Sequence, residues 1–141
     1  MSLMSYVDLN QSRRENVWFL NSGCSNHMCK NKEWFSNLDE EFRQSVKFGN
    51  NSKMAVLGKG NIRLQIVGVT HVITDVFYIP ELKNNLLSIG QFVERGVVIL
   101  IQHGVCRVYH PKKGLIMQTT MFANRMFILL AKILLKAPTC F

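Results

Sequence analysis

Short hydrophobic runs separated by glycine-containing turns recur along the chain from residue 17 onward. The segment Asn61–Ile66 alternates most clearly, with Ile62, Leu64 and Ile66 on one face of a predicted strand. The other predicted strands are Val17–Leu20, Ser45–Phe48, Lys53–Leu57, His71–Ile79, Val97–Ile101, Cys106–His110 and Leu115–Thr119. Many short strands at close, regular spacing predict an all-β barrel or sandwich.

Three segments depart from this alternation. Between Trp34 and Phe42 the hydrophobic residues approximate a helical spacing, which predicts a short helix or loop. The segment Gln91–Gly96 predicts one helical turn closed by glycine. The apolar run Met126–Leu135 fits either a strand or a helix. It is interrupted by Lys132 and falls well short of the ~20 residues that a membrane-spanning helix requires, so no membrane contact is expected.

The composition indicates one globular domain with a basic surface. The chain has 141 residues, of which 48% are hydrophobic and 18% are charged. Its 17 Lys and Arg against 9 Asp and Glu give a net charge of +8. An excess of this size suits a partner that carries negative charge, such as nucleic acid. The basic residues are scattered, however, without interleaved aromatic residues, so a solvated basic surface is favoured over nucleic-acid binding.

The four cysteines do not form a metal-binding pattern. Cys24, Cys29, Cys106 and Cys140 include no Cys-x-x-Cys pair. Cys24 and Cys29 flank His27, but this arrangement lacks the separated ligand pairs of structural zinc sites. We therefore expect no metal and no cofactor. Without a recognisable secretory leader, reduced thiols in a cytoplasmic setting are expected.

The most suggestive stretch for chemistry is the turn after the first strand. Trp18–Leu20 predicts a buried strand, and Ser22–Gly23 predicts a tight turn that places Asn21 at the strand's end. A side chain held in this way is typical of catalytic sites, and Asp at this position would be a candidate catalytic carboxylate. The nearby His27 is interpreted as a turn residue.

Four segments, in this order, resemble the protease region of copia-type LTR retrotransposon Pol polyproteins. The first is Trp18–Met28, which resembles the strand and Asp-Ser-Gly turn that open this region. Val56–Gly60 is similar to the family's glycine-containing flap segment, and Asp75–Gln91 to its most recognisable block. Asn124–Phe127 resembles the start of the pre-integrase segment that follows. The resemblance covers almost the whole chain, and the order of several linked motifs makes it specific.

This resemblance implies a small closed β-barrel of the retropepsin-like aspartic protease fold, with a flap hairpin that closes over a peptide substrate. Two chains would form a homodimer, in which each gives one Asp to a shared site that cuts Gag-Pol polyproteins. A flexible lead-in would cover residues 1–15, the barrel residues 16–120, and the start of the pre-integrase segment residues 121–141. The implied location is a cytoplasmic retrotransposon particle.

The resemblance also assigns site residues. The catalytic turn consists of Asn21, Ser22 and Gly23, in which Ser22 corresponds to the residue that hydrogen-bonds the catalytic carboxylate. The flap and substrate-binding residues are Leu57, Gly58, Lys59 and Gly60. The hydrophobic platform beneath the active-site turn consists of Leu86, Leu87, Ser88, Ile89 and Gly90.

The main departure from the family pattern is Asn21, which stands where the family has Asp. Two neighbouring carboxylates share one proton, and the ionised one takes a proton from the water that attacks the peptide. An amide cannot do this, so the chain is expected to be catalytically inactive. The change fits an engineered inactivation or a decayed genomic copy. The alternative function is a non-catalytic peptide-binding or dimerisation module, and nucleic-acid association ranks third.

Overall fold

The computed structural model describes residues 17–66, 68–121, 127–130 and 132–133. In chain order its strands are β1 (Val17–Asn21), β2 (Met28–Cys29), β3 (Phe35–Asp39), β4 (Gln44–Lys47), β5 (Lys53–Val56), β6 (Gly58–Ile66), β7 (Val69–Tyr78), β8 (Asn85–Ser88), β9 (Val98–Gln102), β10 (Val105–His110), β11 (Gly114–Thr120), β12 (Phe127–Leu130) and β13 (Lys132–Ile133). The described helices are a 3-10 helix, Lys32–Trp34, and α1, Ile89–Glu94. The all-β prediction is therefore confirmed. The expected lead-in at 1–15, Cys140 and most of the Asn124–Phe127 motif lie outside the described residues.

Eight strands form one sheet that bends back on itself. Seven follow the order β12-β1-β8-β2-β7-β6-β13, and β3 also pairs with β6. The pairs β1–β8 and β2–β7 are parallel. β12 and β13 lie at opposite ends of this order, although only residue 131 separates them in sequence. No ladder joins these two ends among the described residues, so the structure does not show the closed barrel that the resemblance implies.

Two smaller sheets pack on the large one. The three-stranded antiparallel sheet, in the order β11-β10-β9, shares a core with the large sheet, to which it contributes Cys106, Val108 and Met117. The hairpin β4–β5 covers a second core, which includes Phe77 and Ile79. The molecule thus has two hydrophobic clusters: Leu20 of β1 belongs to the first, and Cys24, shortly after β1, packs against the second.

Most predicted strands are confirmed. The prediction for one segment was wrong, and a second segment, for which strand and helix were both open, contains strands. The region around Trp34 contains the 3-10 helix, but Phe35–Asp39 is a strand, paired with β6, and not a helix or loop. The prediction failed because no residue of β3 is fully buried, so the strand shows no clear alternation of buried and exposed side chains. The run Met126–Leu135 contains the strands β12 and β13. In the described part of the chain, no helix has the length and hydrophobicity needed to cross a membrane.

The flap-tip prediction at Leu57–Gly60 differs from the observed backbone. Gly58, Lys59 and Gly60 lie within β6, paired with β7 on one side. Lys59 and Gly60 also pair with β3 on the other side. A Cβ atom on Gly60 would lie only 2.0 Å from the Asn37 carbonyl oxygen, so glycine here permits the close approach of two strands. The described hairpin turn in this region is instead residues 48–52, between β4 and β5.

We predict that Gly60→Ala destabilises the fold by about 1–3 kcal/mol, because the added methyl group must push β3 away from β6. The matched control is Gly49→Ala, whose Cβ would meet no atom within 4 Å and should change stability by less than about 0.5 kcal/mol. Urea unfolding of both variants measures the difference. Equal stability of the two variants would contradict the strand assignment of Gly60.

Candidate functional site

Strand β1 delivers Asn21 to the edge of a turn. The buried side chains of Trp18 and Leu20 anchor the strand. Asn21 is half-buried, and its Oδ1 accepts a hydrogen bond of 2.5 Å from the Gly23 backbone N–H. This is the side-chain turn that Asn and Asp commonly form, and it leaves Ser22 exposed. The segment predicted to be the catalytic turn is therefore a compact turn. Its side-chain hydrogen-bond acceptor is the amide oxygen of Asn21.

The predicted platform lies directly beside this turn. Leu86, Leu87 and Ser88 belong to β8, which runs parallel to β1 and places Ser88 opposite Asn21. Ile89 and Gly90 begin α1. The structure therefore brings the platform segment and the turn together, across 67 residues of sequence (88 − 21).

A buried histidine holds the far end of the turn. His27 is 2% exposed, and its Nδ1 accepts a hydrogen bond of 2.9 Å from the Ser88 N–H. The His27 N–H donates to Gln91 Oε1 at 2.8 Å, and its ring packs 4.6 Å from that of Phe92. Its interpretation as a turn residue is thus incomplete, because His27 joins the turn to β8 and α1.

Ser88 and Gln91 complete this connection. The Ser88 hydroxyl donates to the Cys24 carbonyl at 2.8 Å and accepts from the Gln91 N–H at 3.0 Å, so it also caps α1. The Gln91 side-chain amide donates to the Thr74 carbonyl of β7 at 2.9 Å. We call His27, Ser88 and Gln91 the polar clamp. The Ser-x-x-Gln spacing of a capping box was the one signal in the sequence that could have revealed it.

A second feature beside the turn is the pair Asp75–Arg95. Asp75 adopts a positive φ of 57° at a bulge in β7, where Thr74 and Asp75 lie opposite Asn61. Its carboxylate is paired with the Arg95 guanidinium. Both residues line a cleft of about 270 Å³, which we call the turn cleft. Its other lining residues are Ser25, Asn26, Phe42, Gln44, Lys59, Phe77, Gln91 and Glu94.

The titratable groups near Asn21 are poorly suited to act as a base. Burial, followed by the positive charge of Arg95, lowers the pKa of His27 to about 3. Burial raises the pKa of the Cys24 thiol to about 11 and that of Cys29 to about 12. At neutral pH the imidazole is therefore uncharged and both thiols are protonated. Among the described residues no three His, Cys, Asp or Glu side chains are arranged to hold a metal ion.

Comparison with known proteins shows which family the chain is similar to over most of this region. Residues 18–97, which run from β1 to the residue before β9, match the family described as Pol polyprotein, beta-barrel domain. The chain belongs to the Pol polyprotein β-barrel domain family. The turn, the platform and the polar clamp of this β-barrel-domain protein all lie inside the matched region.

A curated relative supports a retrotransposon Pol context. The chain is 28% identical over 76 residues to the putative transposon Ty5-1 protein YCL075W of Saccharomyces cerevisiae (strain ATCC 204508 / S288c). The aligned region is 54% of this chain and 49% of the relative, so the chain spans about half the length of that protein.

We predict that His27 makes folding stability pH-dependent. Because its pKa falls from 6.5 to about 3 on folding, its contribution is complete above about pH 6.5 and is lost as the pH falls towards 3. The slope from this residue reaches about 1.4 kcal/mol per pH unit. His27→Gln, which retains an acceptor but does not titrate, should flatten the dependence measured by urea unfolding between pH 7 and pH 4.

The matched control for this experiment is His103→Asn. His103 is exposed and has a positive φ of 53°, a conformation that Asn tolerates. This variant should keep the slope of the unaltered chain. Identical slopes for His27→Gln and the unaltered chain would show that the His27 side chain is not the buried neutral group described above.

Proposed function

We propose that this protein is a retropepsin-like domain of a copia-type Pol polyprotein whose aspartic protease site is silenced by Asn21. One observation carries the proposal: Asn21 ends β1 in an Asn-Ser-Gly turn and lies opposite Ser88 of the parallel strand β8, with the polar clamp fixing the turn. A turn held so firmly, with an amide where a carboxylate would act, is what an aspartic protease scaffold without its catalytic group would have.

The chemistry follows from the replaced atom. The Asn21 amide is neutral and cannot accept the proton of an attacking water. The neighbouring groups cannot replace it, because His27 is engaged with Ser88 and the Cys24 thiol is protonated. The carboxylates in the turn cleft are Asp75, which is ion-paired, and Glu94. The proposed domain therefore lacks a group that could activate water to hydrolyse a bound peptide.

We also propose that the hairpin β4–β5 is the cover of the site. Val46, Phe48 and Met54 of this hairpin pack on the same hydrophobic cluster as Cys24, which follows the turn by one residue. At the tip, residues 49–52 are exposed, whereas Phe48 is half-buried. In this proposal Lys59 is a substrate-facing wall residue of the turn cleft, held over the Phe42 ring at 4.6 Å, and is not part of the tip.

The same proposal includes a homodimer, a closed barrel, a peptide partner and a cellular location. A symmetric homodimer would bring two Asn21 turns together, because one chain supplies only half of such a site. The strands β12 and β13, at the two ends of the curled sheet, would close the barrel. The expected partner is a polyprotein peptide, and the expected location is a cytoplasmic retrotransposon particle.

A second candidate function is a non-catalytic peptide-binding or dimerisation module. It is favoured by the absence of paired acidic groups at the turn, since two neutral amides would meet at a dimer axis without like-charge repulsion. Nucleic-acid association has only the net charge of +8 in its favour.

The deciding experiment compares the unaltered chain with Asn21→Asp on a polyprotein junction peptide, at mildly acidic and at neutral pH. We expect only Asn21→Asp to cut, with pepstatin blocking it, because the change restores the group that activates water. General acid–base catalysis of this kind contributes about 10²–10⁴-fold.

The matched control is Asn26→Asp, which adds the same charge five residues along the same loop and should leave the chain inactive. Pepstatin-sensitive cleavage by the unaltered chain would contradict the proposal. Failure of a folded, dimeric Asn21→Asp variant to cut would favour the binding or dimerisation module.

A further inference from the structure

A second cleft lies between the large sheet, α1 and the hairpin β10–β11. Its volume is about 230 Å³, and it shares only Arg95 among its lining residues with the turn cleft. We call it the intersheet cleft. Its lining residues are His27, Ile66, His71, Val72, Ile73, Thr74, Phe92, Arg95, Val97, His110, Lys113, Ile116 and Met117.

The lining of the intersheet cleft combines an apolar surface with positive charge. The apolar part includes Ile73, Phe92 and Met117, which belong to the larger hydrophobic core. The ionisable lining residues are Arg95, Lys113 and histidines, and no described lining residue is acidic. Arg95 is partly neutralised by Asp75, which lies outside the lining. Lys113 has no ion pair with an acidic side chain in the described part of the chain.

His71 is the most informative residue of this cleft. It is 7% exposed, and its Nε2 is buried without a hydrogen-bond partner among the described residues. A buried polar atom without a partner costs free energy, and such atoms are uncommon in folded proteins. The His71 side chain therefore has unused hydrogen-bonding capacity in a cleft with an apolar wall.

The electrostatic environment of His71 is positive. Burial lowers its pKa, and electrostatic interactions with Lys113 and then His110 lower it further. The His110 Nδ1 accepts from the backbone N–H groups of Lys112 and Lys113, which fixes the turn that carries the Lys113 ammonium group. An anion in the cleft would relieve this cationic surplus.

We propose that the intersheet cleft binds a small organic anion, with a carboxylate or phosphate group on an apolar body. The apolar wall would receive the body, Lys113 would attract the charge, and a neutral His71 would donate its ring N–H. The volume is below the ~300–1,000 Å³ typical of pockets for drug-sized ligands, which limits the occupant to roughly one aromatic ring and its charged group. This site is independent of the state of Asn21.

The test is an NMR titration of the full chain with four probes: phenyl phosphate, benzoate, inorganic phosphate and benzyl alcohol. We expect the two aromatic anions to shift the His71 imidazole and Met117 methyl resonances and to raise the pKa of His71. Benzyl alcohol and inorganic phosphate, which each lack one of the two required features, should bind more weakly. The stronger of the two aromatic anions identifies the preferred charged group.

Two neighbouring lysines provide a matched pair of variants. Lys112 and Lys113 are both exposed in the same turn, but only Lys113 lines the cleft. Lys113→Gln should weaken binding of the preferred aromatic anion about two- to five-fold, as expected for an exposed charge, whereas Lys112→Gln should leave it unchanged. His71→Phe, which fills the space without a donor, should also weaken it.

Three results would overturn the proposal. The first is equal weakening by Lys112→Gln and Lys113→Gln, which would mean diffuse attraction by the basic surface. The second is binding of benzyl alcohol as tight as that of the anions. The third is the absence of any shift at His71 with all four probes at millimolar concentration.

Discussion

The parallel pairing of β1 with β8 is the constraint on which the candidate site depends. Parallel neighbours need a long crossover connection, and here that connection contains β2 to β7. The polar clamp fixes the crossover at the end next to the turn, since Ser88 and Gln91 bond the loop after Asn21, and Gln91 also bonds β7. The bond from the His27 N–H to Gln91 is buried and the other two are partly buried, so leaving any of them unmade would cost free energy. One small group of side chains thereby sets the position of the turn relative to both hydrophobic clusters.

The sequence predicted the local elements well, because alternation is a local property. Ile62, Leu64 and Ile66 are all buried on β6, as their spacing indicates. The prediction was wrong for Phe35–Asp39, whose pairing with β6 is what makes it a strand. The prediction of Gly58 and Gly60 as a flap tip missed their proximity to β3 for the same reason. Their neighbour β3 is separated from them by the whole of the hairpin β4–β5, which no periodicity reveals.

The candidate site, too, could be predicted only in part from the sequence. The position of Asn21 at a strand end could be predicted, since a hydrophobic run followed by Ser-Gly specifies a turn by itself. The burial of His27 could not, because it depends on Gln91 and Ser88, more than 60 residues away. The Asp75–Arg95 pair was missed because a bulge with positive φ at Asp75 carries no distinctive pattern in the sequence. The family match covers only residues 18–97, so it adds information about that part of the chain alone.

The two strands at the ends of the large sheet have a consequence for how the chain folds during synthesis. β12 pairs with β1 across more than 100 residues, and β13 pairs with β6. Until the ribosome has released residues near 130, β1 has a hydrogen-bonding neighbour on only one side. Contacts between such distant segments form slowly, and an unpaired strand edge invites association with other chains in the meantime. Inside a polyprotein, the segment that follows residues 18–97 therefore supplies the strands, β12 and β13, that complete the large sheet formed by the preceding residues.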